Sequence, residues 1–185
     1  MEPHFFKTPA HFRKWLEKNY KSKTELLVGF YKKGSGKESI TWPESVDEAL
    51  CFGWIDGVRK SLDSDSYTIR FTPRKPNSIW SAVNIDKMEA LLKKGLVKPE
   101  GIAAYEKRTA SKSKVYAFEQ EEDPVLSEDF ESEFRKNKHA YDFFMKQAPS
   151  YKKVVLHWIN TARQEKTQRS RFDKLVKASE EGKRL

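Results

Sequence analysis

Apolar positions recur at two spacings along this chain, and the alternation between them predicts its elements. Thr8-Pro9 opens a helix, with threonine capping free amides and proline in the first turn. Phe12, Trp15, Leu16 and Tyr20 then fall on one helical stripe. Leu26 to Tyr31 is a continuous apolar run, short enough for a strand covered on both faces. Lys32-Lys33-Gly34-Ser35-Gly36-Lys37 reads as a turn and Ser39 to Trp42 as a short strand. Thr41 and Glu44 have capping-box spacing with Pro43 in the first turn, and Val46, Ala49 and Leu50 form the buried stripe of the helix that follows, ended by Gly53.

Period-two alternation then takes over. Trp54–Lys60 and Tyr67–Thr72 read as paired strands around a turn at Leu62–Ser66, with Tyr67, Ile69 and Phe71 on one face and Thr68, Arg70 and Thr72 on the other. Pro73 and Pro76 stop the second strand. A helix from about Ser81 carries Ile85, Met88 and Leu92 inward and ends at Gly95, and another begins near Pro99. Beyond a polar and acidic stretch the pattern is helical to the end. Ser127 caps a helix bearing Phe130 and Phe134, a second runs from His139 to Lys146, and Tyr151, Val155, Trp158, Ile159 and Ala162 line a third. A last helix carries Phe172, Leu175 and Val176 and ends at Gly182.

This order predicts an α+β fold: a small antiparallel or mixed sheet with flanking helices in residues 1–109, an acidic linker at 110–126, and a helical region at 127–185 packed on the first domain. The packing follows from Phe130, Phe134, Tyr151, Trp158 and Phe172, which are too many large rings for so small a helical piece to hide alone.

Charge adds a second layer. The 185 residues have a net charge of +9, and 13% are aromatic, enough to build a core despite 34% charged residues. Residues 1–109 carry 20 basic and 14 acidic side chains, 110–149 carry 6 and 9, and 150–185 carry 10 and 4. A basic balance favours anionic partners such as nucleic acid, an anionic surface or a phosphorylated ligand, and also describes an ordinary lysine-rich surface. The lone Cys51 excludes an intrachain disulfide, and no apolar run reaches the ~20 residues of a membrane span. With no leader-like N-terminus, a cytoplasmic location is the expectation.

Candidate chemistry concentrates in one block. Trp54 and Asp56 share a strand face, and a three-residue loop at Leu62-Asp63-Ser64 would set Asp56 opposite Arg70. One reading is a cross-strand ion pair that supports the sheet. The other is a ligand site in which Arg70 holds an anion, Asp56 orients Arg70, and Trp54 and Trp80 stack on a planar guest. Arg163, Arg169 and Arg171, with neighbouring lysines, form a second anion-binding candidate, suited to phosphates of nucleic acid or lipid or simply solvated. A third reading makes Asp56 an enzymatic acid or base. Cys51 at a helix C-terminus reads as a buried inert thiol, and His4, His11, His139 and His157 lack metal-ligand spacing. The Lys32–Lys37 turn lacks the Ser/Thr and helix start of a phosphate loop. No metal or cofactor is expected, and no catalytic residue is assigned.

Three stretches, Trp42-Pro43-Glu44, Glu48 to Gly57, and Arg70 to Arg74 with Ser78-Ile79-Trp80-Ser81, resemble the YdeI/OmpD-associated, or bacteriocin-protection, family. The run His157 to Ala162 with Thr167 to Arg171 resembles the family's helical C-terminal part. The resemblance implies a bacterial protein linked to envelope stress or to protection from bacteriocins, and it brings no established reaction. The leading expectation is therefore a non-enzymatic protein that binds a small anionic or aromatic ligand.

Overall fold

A computed structural model describes residues 2–120 and 122–185, which divide into two units, 1–113 and 114–185. The first holds a four-stranded mixed sheet in the order β1-β2-β4-β3, from β1 (His4–Phe5), β2 (Leu26–Tyr31), β3 (Trp54–Ser61) and β4 (Ser66–Pro73). Its helices are α1 (Pro9–Asn19), α2 (Trp42–Cys51), α3 (Ala82–Lys93) and α4 (Pro99–Glu106). The second unit holds α5 (Glu128–Lys136), α6 (Lys138–Met145), α7 (Pro149–Asn160) and α8 (Glu165–Glu180). The fold is α+β, as the alternating periods predict. No helix among the described residues is long and apolar enough to cross a membrane.

One sheet face builds the core of the first unit. Leu26, Val28 and Phe30 of β2 pair with Phe71, Ile69 and Tyr67 of β4, so all six side chains share that face. Phe12 and Leu16 of α1 and Val46, Ala49 and Leu50 of α2 are buried in the same cluster. Phe12 meets Phe71 edge-on at 5.5 Å. Thr8 caps α1 through the His11 amide, and the Glu44 carboxylate accepts the Thr41 amide at 2.9 Å, the capping box read from the spacing.

Two local readings are corrected. Residues 39–41 form no strand; they are an extended connection held by the Ile40 amide on the Phe6 carbonyl (2.8 Å), with Ile40 buried. The strand at this end of the sheet is instead β1, too short to show a period, running parallel to β2. Its Phe5 ring lies over Gly29, where a Cβ would meet ring carbons at 2.5 Å, so the β2 glycine is needed for that close approach.

The β3–β4 hairpin also departs from the expected register. The Asp63 carboxylate accepts the Asp65 amide (2.8 Å), the Ser66 amide (2.7 Å) and the Ser66 hydroxyl (2.8 Å). This turn pairs Ser61 with Tyr67, and a bulge between Asp56 and Arg59 then sets Asp56 opposite Phe71, not Arg70. The three bonds, led by the Ser66 hydroxyl, hold the Asp63 carboxyl below the usual carboxylate range. A depressed folded-state pKa gives stability that is present above the unfolded value and is lost as pH falls through the folded one. Asp63→Ala is therefore expected to lower the melting temperature at pH 7 and to flatten its fall on acidification. Melts from pH 7 to pH 2 check both, and an unchanged acid limb would remove Asp63 from the turn's energetics.

The second unit closes a core of its own. Phe134 and Phe172 are fully buried with Phe144, Val155, Ile159 and Leu175, and Phe130, Tyr151 and Trp158 pack half-buried against them. Of the five large rings, this unit's own helices bury Phe134 and Phe172, which meet edge-on at 5.8 Å, and leave Phe130, Tyr151 and Trp158 at the edge of that cluster. The acidic stretch before α5 is fastened within this unit, with Asp123 on Lys153 of α7 at 3.0 Å.

Candidate functional site

The turn from α2 into β3 shapes the most distinctive surface of the first unit. Gly53 takes φ +72°, its carbonyl accepts the Arg74 amide at 2.8 Å, and a Cβ there would lie 2.9 Å from the Glu100 carbonyl of α4. Only glycine lets the chain turn so close under α4. Phe52, Trp54 and Pro73 on one side and Ala103 and Ala104 of α4 on the other then bound a cleft of about 460 Å³. That volume lies in the range of small-ligand sites.

The charge of the cleft is one-sided. Lys21, Arg74, Lys75 and Lys107 line it, and Glu100 is the one carboxylate among the described lining residues. Lys21 bridges to Glu100 at 3.1 Å. The Tyr20 hydroxyl, followed by this ammonium, keeps the Glu100 carboxyl below its ordinary range. The Arg74 guanidinium lies 3.7 Å from the Trp80 ring centre and donates to the Ser78 hydroxyl and the Ile79 carbonyl, both at 3.1 Å. Trp80 in turn meets Tyr105 edge-on at 5.1 Å. Arg74 is therefore held in place by a cation–π contact and two hydrogen bonds.

The residues singled out from sequence do not converge. Trp54 is 1% exposed and meets Trp15 edge-on at 6.0 Å; it underlies the cleft without offering a ring face. Trp80 is 2% exposed beneath Arg74. Asp56 accepts the indole N–H of Trp42 at 2.9 Å, on the same face as Phe71. Arg70 stands on the other face, exposed, 3.3 Å from Glu25. The register shift is the cause, since one residue of displacement sends a side chain to the opposite face. Arg74, Lys75, Lys21 and Lys107 were not singled out. The available signal was a basic pair enclosed by two prolines, Pro73-Arg74-Lys75-Pro76, directly after a strand.

The basic tail is largely engaged. Arg169 grips both oxygens of Glu133 (2.6 and 2.5 Å) and reaches Asp173 at 2.9 Å. Arg171 donates to the Trp158 carbonyl and lies over its ring. Arg163 is exposed. Cys51 is buried at the end of α2, and burial pushes its thiol pKa up against the opposing pull of Arg13, the state of an unreactive cysteine.

Residues 4–104 match the model of a family described as a domain of unknown function, DUF8412. Residues 123–182 match the family described as bacteriocin-protection, YdeI or OmpD-associated. The likeness to that second family thus rests on the helical C-terminal residues, whereas the glycine–tryptophan block falls within the first model. No curated protein and no solved structure matches the chain.

Proposed function

The chain belongs to the family of the domain of unknown function DUF8412, which covers the whole cleft up to Ala104, and from that premise we propose that the cleft is a receptor for a small anionic ligand with a flat or apolar body. The protein, whose residues 123–182 match the bacteriocin-protection family, would then act in protection by binding and not by catalysis. The observation that carries this reading is the placement of Lys75 and Lys107 at a formed cleft whose one carboxylate among the described lining residues, Glu100, is already bonded to Tyr20 and Lys21. An anion entering there meets the ammonium groups of Lys75 and Lys107 beside Pro73, with Arg74 fixed at the wall by Trp80, Ser78 and Ile79. Glu100, held ionised at neutral pH, is a poor general acid and a weak base, which favours binding over proton transfer.

The reading replaces Arg70 by Lys75 and Lys107 as the anion holders and gives Arg74, Trp54 and Trp80 supporting roles, Trp54 beneath the cleft and Trp80 beneath Arg74. It also ranks the cleft above Arg163, Arg169 and Arg171, because two of those three already hold partners within the helical unit.

Titration of the full chain with pyrophosphate and with adenosine monophosphate tests it, read by amide shifts of Gly53 and Arg74. Binding is expected to weaken between 50 and 200 mM salt. The double reversal Lys75→Glu/Lys107→Glu should weaken it about tenfold, and Arg163→Ala should leave it unchanged. Shifts confined to α8, or none at Gly53 and Arg74, would refute the assignment.

A further inference from the structure

We propose that the helical unit holds a second, chemically different site: a groove for a single-chain amphiphile with one negative head group, such as a free fatty carboxylate. The extended residues 123–126 run beside α6 and α7, tied down by the Asn160 side-chain amide on the Val125 carbonyl (2.7 Å) and by Asp123 on Lys153 (3.0 Å). Between this segment and the two helices lies a groove of about 510 Å³. Its walls include Leu126, Tyr141, Phe144 and Leu156, together with Val125 and Met145, which remain 74% and 46% exposed. Apolar surface left uncovered at a formed hollow marks a place where burial of an apolar guest is favourable.

The polar groups at the rim set the head group. Both carboxylates are already satisfied. Glu131 takes Arg135 and the Tyr141 hydroxyl, each at 2.8 Å, and Asp123 takes Lys153. Those pairs also neutralise Arg135 and Lys153. Lys152 remains, with its ammonium on the Met145 carbonyl at 3.2 Å at the end of α6. A hydrogen bond to a neutral carbonyl leaves the full positive charge of Lys152 at the groove, whose described lining residues therefore carry one net positive charge beside an apolar trough. An apolar chain ending in a single carboxylate complements both features. A cationic amphiphile would meet the uncompensated Lys152, and a multivalent anion would find one cation where the cleft of the first unit offers several.

The test compares octanoate, octanol and octylamine on the full chain, by calorimetry and by amide shifts of Met145 and Leu156. Octanoate should bind about fivefold more tightly than octanol, and octylamine more weakly than either. Lys152→Gln should bring octanoate down to the level of octanol, and Lys152→Arg should restore the preference. Met145→Trp, at an exposed position, should weaken octanoate and octanol together. Thermal melts confirm that each variant is folded. Equal affinity of the wild type for octanoate and octanol, no binding of either, or octanoate shifts confined to Gly53 and Arg74 would each overturn the proposal, while leaving the pyrophosphate result in the other cleft to stand or fall separately.

Discussion

Phe134→Ala is expected to cost the helical unit about 3–5 kcal/mol and so to remove most of its stability. Phe134 is fully buried, and its ring meets Tyr141 at 5.4 Å, Phe144 at 5.7 Å and Phe172 at 5.8 Å. Three helices, α5, α6 and α8, thus share this one side chain. A unit of about 70 residues without a disulfide rarely holds more than about 3–5 kcal/mol in reserve. Loss of the ring is therefore comparable with the whole. The measurement is amide hydrogen exchange across α5–α8, where protection should fall to the level of local fraying. Phe130→Ala is the matched control: Phe130 stacks on Phe172 at 4.4 Å but is only half-buried, so the loss should be distinctly smaller. If both variants lose the same protection, the core is not organised around Phe134.

Helical periodicity was legible because each helix shows its own stripe: Phe12 and Leu16, Val46 and Leu50, Val155 and Ile159 are buried where their spacing predicts. Caps were legible for the same reason, being local; Thr8, Thr41, Ser81 and Ser127 each stand at a helix start. Hairpin register was not. It depends on how many backbone amides the Asp63 carboxylate gathers and on a bulge near Gly57, and neither leaves a periodic trace. The consequence for the site was large. A one-residue offset separates Asp56 from Arg70 by the thickness of the sheet, and with it goes the idea of a sheet-face receptor.

The tryptophans mislead in a similar way. An indole beside glycine and a single charge looks like a recognition surface, yet Trp54 and Trp80 are nearly closed from solvent. Their polar neighbours sit at the margin of the core, where the turn into β3 and the turn after β4 come together through Gly53 and Arg74. The cleft is therefore assembled from residues distant in sequence: Lys21 after α1, Arg74 after β4 and Lys107 after α4. Only tertiary packing brings these cations to one mouth, so the local Pro73-Arg74-Lys75-Pro76 signal marks one wall of the cleft and not the whole.

That packing makes Gly101→Ala the second large expected effect, and it couples stability to the cleft. Gly101 lies inside α4, where alanine would ordinarily favour the helix by about 1 kcal/mol. Here a Cβ would stand 2.5 Å from the Cys51 carbonyl oxygen, 2.7 Å from Val97 Cγ1 and 2.8 Å from the Leu50 carbonyl oxygen. Two of the three obstacles are backbone, so α4 must move away from the end of α2. The net loss is expected to be about 2–4 kcal/mol, outweighing the propensity gain. Gly36→Ala is the contrast, because that glycine has φ +73° but nothing within 4 Å of a Cβ, and its cost should be the left-handed backbone term alone, about 1–2 kcal/mol. Denaturant midpoints separate the two. Because α4 carries Glu100, Ala103 and Ala104 and leads into Lys107, the same displacement widens the cleft and should weaken pyrophosphate binding, while Gly36→Ala leaves it intact. A Gly101→Ala protein that is as stable as the wild type and binds pyrophosphate equally well would show that α4 is not pressed onto the α2–β3 turn, and the cleft would lose the contact that shapes it.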